Sequence, residues 1–429
     1  MPTSDSPRFD PARRRRVTFA LLLVTALASF ESTVVATAMP TIVGELRGLA
    51  LYPWVFAVFL LGATLTMPIY GRLADSHGRR GALLSAVALF VVGSVLCALA
   101  RSMEHLVLAR GLQGLGAGGL VPVSLTVAGD LFSLEERARV QGLFSSVWGV
   151  ASLVGPLAGA TVTASIGWRW VFAPMLPLGL LAFGLVATQL IEVERPGPAR
   201  HPPPLAGLFR IRGIPASYVA SVLLGTTIYG VTVFVPLFVQ GVLGGTAGSA
   251  GAVVTPLVFG WSVSALVAGR ALPRFGFRRT ALVGAVLIVS GLAALLVISA
   301  FQGRTAPISA ACGLIGLGLG PSSLSQLLAV QHSVGEERLG IATSLVPFFR
   351  TVGGSIGVAG LGTIVTVHLG TSSGGSSLLS PGREAVPPAL RASLHDALVQ
   401  VFAVLLLLAF VEFAAVSRLP GGARKARPA

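Results

Sequence analysis

Charged side chains are scarce in this sequence. Asp, Glu, Lys and Arg make up 11% of its 429 residues, whereas soluble domains hold about a quarter. Cysteine is scarcer still. Only Cys97 and Cys312 occur, both within apolar runs, where they read as small core hydrophobes, so neither a disulfide framework nor a Cys/His metal cluster is expected. Also missing are HExxH, a P-loop and paired catalytic carboxylates, which makes an enzyme the least favoured class, together with a receptor.

Hydrophobic residues take the place of charge, at 53% of the chain. They fall into about a dozen stretches long enough to cross a hydrocarbon layer of roughly 30 Å at about 1.5 Å per residue. The spans read roughly as 17–40, 51–70, 82–100, 106–129, 140–165 and 169–191, then 216–241, 248–271, 280–301, 307–330, 339–366 and 394–416. The expected fold is an all-α polytopic membrane protein, with 12 transmembrane helices in two pseudo-symmetric six-helix bundles.

The net charge of +15 would suggest nucleic acid in a soluble protein. Its placement points instead to a bilayer. By the spans above, 23 of the 31 Lys and Arg residues lie in loops on the Arg13–Arg16 side and six in the opposite loops. That bias puts both termini in the cytoplasm. Basic faces of nucleic-acid binders interleave aromatic and polar readers, and no such pattern occurs here. The N-terminal arginines and apolar run resemble a signal peptide, but the run exceeds the usual length of about 7–15 residues and contains an acid. It reads as the first span.

The domain reading follows. Residues 1–16 form a cytoplasmic tail, 17–191 the first bundle, 192–215 a proline-rich, charged linker, 216–416 the second bundle and 417–429 a second tail. The Gly/Ser/Pro-rich loop at 367–393 contains GTSSG, which fits a nucleophile elbow only formally, since no strand–turn–helix surrounds it. The two halves repeat at a spacing of about 200 residues. GRLADSHGRR (71–80) matches GRALPRFGFRR (269–279), and SLEERARVQG (133–142) matches SVGEERLGIA (333–342). Each of the latter pair contains S-x-x-E and reads as a capping box, with Glu136 or Glu336 reaching back to the serine. Equivalent spans keep their orientation, the parallel repeat of a two-bundle transporter whose site lies at the midplane.

Two ionisable residues stand out. Glu31, in FESTVVATAMP, interrupts the first span about 21 Å from its cytoplasmic end. An acid there costs about 2.5–3.5 kcal/mol on insertion scales, so it faces a cavity or a partner. Arg110, in LVLARGLQGLGAGG, lies at similar depth on the fourth span. A carboxylate that alternates between a guanidinium and a desolvated pocket would bind and release a proton. A fixed buried ion pair is the competing reading. Arg350 lies about 16 Å into the eleventh span. It would anchor an anionic substrate, contact backbone carbonyls or oppose cations. No acid is expected at comparable depth in that half, because Glu412 falls near the cytoplasmic end of the last span.

Other motifs carry weaker readings. Gly149, Gly155, Pro156 and Gly159 in GVASLVGPLAG fit either an outer gate or a packing kink in the fifth span. GLGAGG (114–119) sits mid-span without a preceding strand and reads as a helix-packing run. In GRLADSHGRR, Asp75 fits a cap on the third helix paired with an arginine, and with Gly71, Gly78, Arg79 and Arg80 it suggests a breakable latch. Tyr52, Trp54, Gln113, Trp148, Tyr229, Gln240, Trp261, Gln326 and Phe349, with Arg350, are the candidate cavity wall.

GRLADSHGRR resembles the loop between spans two and three of the major facilitator superfamily. LARGLQGLGAGG is similar to its span-four arginine motif, and GVASLVGPLAG to the span-five motif of its antiporters. ESTVVATAMPTI, GWRWVFAPMLPLG, VPLFVQGVLG and FFRTVGGSIG resemble the QacA-like drug:proton antiporter branch, here with a 12-span rather than a 14-span core. The resemblance implies rocker-switch alternating access and proton-driven export of lipophilic, often cationic compounds across the inner cell membrane. It implies no cofactor beyond the proton gradient and a functional monomer. For the residues, it implies a proton-linked role for Glu31 with Arg110, gating by Gly155 and Pro156, and a latch of Asp75 with Arg79. Export of a specific lipid or metabolite remains the alternative. Glu31 stands where that branch usually has Asp, and Ala173-Pro174 replaces the usual asparagine after WRW.

Overall fold

A computed structural model describes residues 10–46, 51–191, 205–245, 247–301, 304–369 and 388–421. Most of the expected linker, of the Gly/Ser/Pro-rich loop and of both tails lies outside the described residues. Among the described residues the chain is helical and has no strand, as hydrocarbon demands, since a helix satisfies every backbone N–H and C=O within its own segment.

The first six helices are α1 (Pro11–Leu46), α2 (Tyr52–His77), α3 (Arg79–Ala98), α4 (Met103–Leu131), α5 (Leu134–Ser165) and α6 (Met175–Gln189). A 3₁₀ turn at Trp168–Val171 precedes α6, so the sixth helix starts six residues later than its apolar pattern suggested. Then come α7 (Ile214–Gly241), a helical stretch Ala247–Ala300, α10 (Thr305–Ser333), α11 (Leu339–Leu369) and α12 (Pro388–Val416). The stretch Ala247–Ala300 is broken at Gly276, where φ is 77° and ψ 170°, into α8 (247–275) and α9 (277–300). That makes twelve helices among the described residues. Nine segments, one of them the paired α8 and α9, are long and apolar enough to cross a membrane.

The repeat seen in the sequence reappears in the backbone. Gly78, between α2 and α3, has φ 98°, and Gly276 occupies the matching position of the second half. Both lie in the left-handed region that glycine reaches without a Cβ clash. Each joins two helices with almost no loop.

Contacts divide the chain into two compact units, Met1–Arg210 with Val330–Phe348 and Ile211–Ala329 with Phe349–Ala429. In the first, Val34, Met39, Ile42, Met103, Leu106, Trp168 and Phe172 share a buried apolar cluster. In the second, Phe234, Phe238, Leu292, Ile315 and Phe402 belong to another.

The first of the two expected capping boxes forms. Ser133 Oγ accepts from the Glu136 N–H at 3.4 Å, and the Ser133 N–H donates back to Glu136 Oε2 at 2.9 Å. Its counterpart differs. Ser333 ends α10, Glu336–Arg338 forms a 3₁₀ turn, and α11 begins at Leu339. Ser333 and Glu336 therefore stand before that helix, and a residue from α2 caps its N-terminus; the Glu336 side chain lies outside the described residues.

Candidate functional site

In the first unit, Arg110 and Gln113 lie three residues apart on α4 and so share a face. Small residues on the same helix let its neighbours approach. A Cβ at Gly114 would come 2.9 Å from Phe59 Cα on α2, and one at Gly93 of α3 would come 2.5 Å from Gln113 Cα. This is the packing role expected of GLGAGG. The approach of α2 lets Arg110 Nε donate to the Val55 carbonyl at 3.2 Å, with its guanidinium 4.0 Å above the Phe59 ring.

The same guanidinium donates through Nη1 to Glu31 Oε1 of α1 and to Gln113 Oε1, the latter at 2.6 Å. Gln113 Nε2 passes the network on to Ser94 Oγ at 2.8 Å. Glu31, Gln113 and Ser94 are completely buried, and Arg110 is 2% exposed. Glu31 Oε2 has no hydrogen-bond partner among the described residues. A buried ion pair of this kind gains attraction in low dielectric but carries a desolvation cost of several kcal/mol per ion. The extra bonds from Arg110 to Val55, Gln113 and Phe59 offset that cost on the cation's side. Among the described residues the carboxylate is held through one oxygen only, and the other keeps its acceptor capacity.

A second constellation sits at the α2–α3 turn. Asp75 lies in the last turn of α2 and not at the start of α3, and it does not cap α3: the residue before α3 is Gly78, with no side-chain cap. Its carboxylate instead accepts from the backbone N–H of Gly340 at 2.9 Å and of Ile341 at 2.8 Å, in the first turn of α11. A helix N-terminus carries unpaired N–H groups and partial positive charge, so it suits a carboxylate. Arg79 pairs with Asp75 at 2.5 Å and donates through Nε to Asp130 at 3.0 Å. Gly71 is buried one helical turn away on the same face, where a Cβ would come 2.9 Å from the Gly340 carbonyl. Arg80 is exposed and donates to the Ala187 carbonyl of α6 at 2.5 Å.

At the opposite end, the WRW motif fastens helix ends. Glu45 of α1 accepts from Trp168 Nε1 at 2.7 Å and from Arg169 Nη1 at 2.5 Å, and Arg169 Nη2 reaches the Ala100 carbonyl at 3.2 Å. Glu45 lies beyond the first span, and the Arg169 hydrogen bond holds its carboxyl below the usual range.

In the second unit, Gln326 of α10 is buried and accepts from Ser221 Oγ at 3.0 Å. Trp261 donates to Ser323 Oγ at 3.2 Å, and the Arg350 guanidinium lies 5.9 Å from its ring. Phe349 packs on Tyr218 at 4.9 Å between centroids. Tyr229 is half-buried, while Trp54, Trp148 and Gln240 are exposed. Gly149, Gly155 and Gly159 are buried on a helix that runs unbroken through Pro156. The side chains of Tyr52 and Pro156 lie outside the described residues.

Ser94, Asp130 and Glu412 are among the residues of these sites that were not singled out in the sequence. Ser94 and Asp130 carry no signal alone, being ordinary polar residues on α3 and α4. Glu412 does carry one. It was placed near the cytoplasmic end of its span, but it is completely buried and accepts from Ser322 Oγ of α10 at 2.7 Å. A lone acid in an apolar run was the criterion that found Glu31, and it applies equally here. Among the described residues no group of His, Cys, Asp and Glu is arranged to hold a metal ion.

The family model described as Major Facilitator Superfamily matches residues 21–358. The chain is 28% identical to the multidrug transporter protein MdtP of Bacillus subtilis (strain 168), over 84% of this chain and 76% of that protein. It is 29% identical to multidrug resistance protein 3 of the same organism, over 84% and 81%. Among solved structures, it superposes on the human organic anion transporter MFSD10 (TETRAN) with a TM-score of 0.72 at 15% identity, covering 95% of this chain and 100% of that one. A likeness at that identity speaks for the fold.

Proposed function

Because the chain belongs to the major facilitator superfamily, we propose that it is a proton-coupled exporter of lipophilic or amphipathic small molecules, cationic ones among them, working by alternating access. One observation carries the proposal. Glu31 is fully buried on α1, bound to Arg110 through one oxygen, with the other unpartnered among the described residues. A carboxylate in that position switches between two states. Paired with the guanidinium it is charged, and parted from it in low dielectric it takes a proton. If the separation accompanies the rocking of the bundles, proton entry and substrate exit share one cycle. The names of the multidrug relatives support the substrate class.

The remaining residues take supporting roles in this reading. Asp75 and Arg79 clasp the α11 N-terminus and release it once per cycle, while Gly149, Gly155, Pro156 and Gly159 let α5 seal against a neighbour as an outer gate. Tyr52, Trp54, Trp148, Tyr229, Trp261 and Phe349 offer apolar and π surface to the cargo. The distribution of arginine supports an inner-membrane location with both termini cytoplasmic, and the unit of function is the monomer.

The test uses purified protein in liposomes loaded with a pH-sensitive dye. Adding a lipophilic cation to the wild type should drive protons in the opposite direction. Glu31→Gln should abolish that coupled flux while the protein still folds. Export against a gradient by Glu31→Gln at the wild-type rate would sink the assignment.

A further inference from the structure

The second unit contains a buried acid that the mechanism above does not use. Glu412 of α12 is 0% exposed, and its oxygens are treated unequally. Oε1 accepts from Ser322 Oγ at 2.7 Å and from Gln326 Nε2 at 3.5 Å, whereas Oε2 has no partner among the described residues. Gln326 is fixed in turn by Ser322 at 3.0 Å and by Ser221 of α7 at 3.0 Å. These donors are all neutral.

The surrounding charges are few. From α11, Arg350 exerts its field on Glu412, and Arg350 Nε is itself buried without a hydrogen-bond partner among the described residues. Tyr229 of α7, a neutral phenol, lies near Arg350. On α8 and α9, Arg270, Arg274, Arg278 and Arg279 are exposed, as is Arg418 beyond α12. From α10, Ser322 and Gln326 donate to the carboxyl. Glu412 thus differs from Glu31 in one respect that matters: Glu31 touches its guanidinium, and Glu412 touches no cation among the described residues. An ionised carboxylate buried with neutral donors only is costly, and the cost disappears when it binds a proton.

We propose that Glu412 is a second proton-binding carboxyl, seated by Ser322 and Gln326, and that the transport cycle loads and unloads it as well as Glu31. The proton sits on Oε2 and leaves when Arg350 or water reaches that oxygen. The inference rests on the proton-driven reading above, but its test has a readout that does not depend on transport.

Infrared difference spectroscopy of the purified protein, titrated with acid and base, should show the carbonyl stretch of a protonated, desolvated carboxyl. That band should vanish in Glu412→Gln and shift in Ser322→Ala, which serves as the control if Glu412→Gln folds poorly. In liposomes, the proton-to-substrate ratio from reversal potentials should fall by one in Glu412→Gln. A band unchanged in both variants overturns the proposal. So does a band that disappears while the ratio stays fixed, since Glu412 would then be a structural carboxylic acid. Failure of the Glu31 assignment would appear separately, as an unaltered coupled flux in Glu31→Gln.

Discussion

Arg110 binds one oxygen of Glu31 and also donates to the Val55 carbonyl and to Gln113. The cation is therefore over-determined and the anion is not. In any separation of the two, the guanidinium has reasons to stay and the carboxylate has few.

That asymmetry sets an order of stabilities. Arg110→Ala leaves a buried acid without its cation, a class of change that costs about 3–5 kcal/mol. Adding Glu31→Gln to it should return part of the loss, because the stranded group is gone. Thermal melting of the two single variants and the double variant in detergent measures this coupling. Strict additivity would show that the pair does not interact.

Asp75 makes a different kind of contact, to backbone N–H groups of α11. Losing a carboxylate cap costs about 0.5–2 kcal/mol of helix stability. Asp75→Asn keeps a hydrogen-bond acceptor but removes the charge facing both Arg79 and the helix N-terminus. Transport rates should fall in the order wild type, Asp75→Asn, Asp75→Ala, with substrate affinity nearly constant. Equal rates in all three would remove the residue from gating.

The Glu45–Arg169 pair gives the pH dependence that is simplest to read. The Arg169 hydrogen bond lowers the folded-state pKa of Glu45 relative to the unfolded chain. Its stabilisation is therefore present above the ordinary glutamate value of about 4.3 and is lost as pH falls through the depressed folded value. Glu45→Gln should melt lower than the wild type at neutral pH, and the gap should close in acid. Both side chains are partly exposed, so the neutral-pH gap should be about 1 kcal/mol or less and should shrink in salt.

Glu31 and Arg110 could be read from the chain because an ionisable residue inside an apolar run has few fates. Helix number was also legible, since apolar run length is local in sequence, whereas the grouping of Val330–Phe348 with the first unit is not. Other features were hidden for physical reasons. The group that Asp75 holds lies 265 residues away, and which helix end it meets depends on packing rather than on neighbouring residues. The second S-x-x-E pattern stands before α11, whose start matches the apolar run, because a 3₁₀ turn separates that pattern from the helix. Glu412 was passed over because its position near the end of an apolar run fits an interfacial residue equally well, and only the placement of Ser322 and Gln326 on α10 reveals that it is enclosed.

The paired elbows at Gly78 and Gly276 have an implication for how the two halves diverged. Both glycines keep a positive φ, yet Pro273 stands where Asp75 does, although Gly71, Arg72, Gly78 and Arg80 all recur at the matching positions. Proline offers neither an anion nor an N–H, so the second elbow lacks the carboxylate that the first one has. Mutational damage at these two places should accordingly be unequal, with kinetic defects following changes to the first elbow and little more than folding defects following changes to the second.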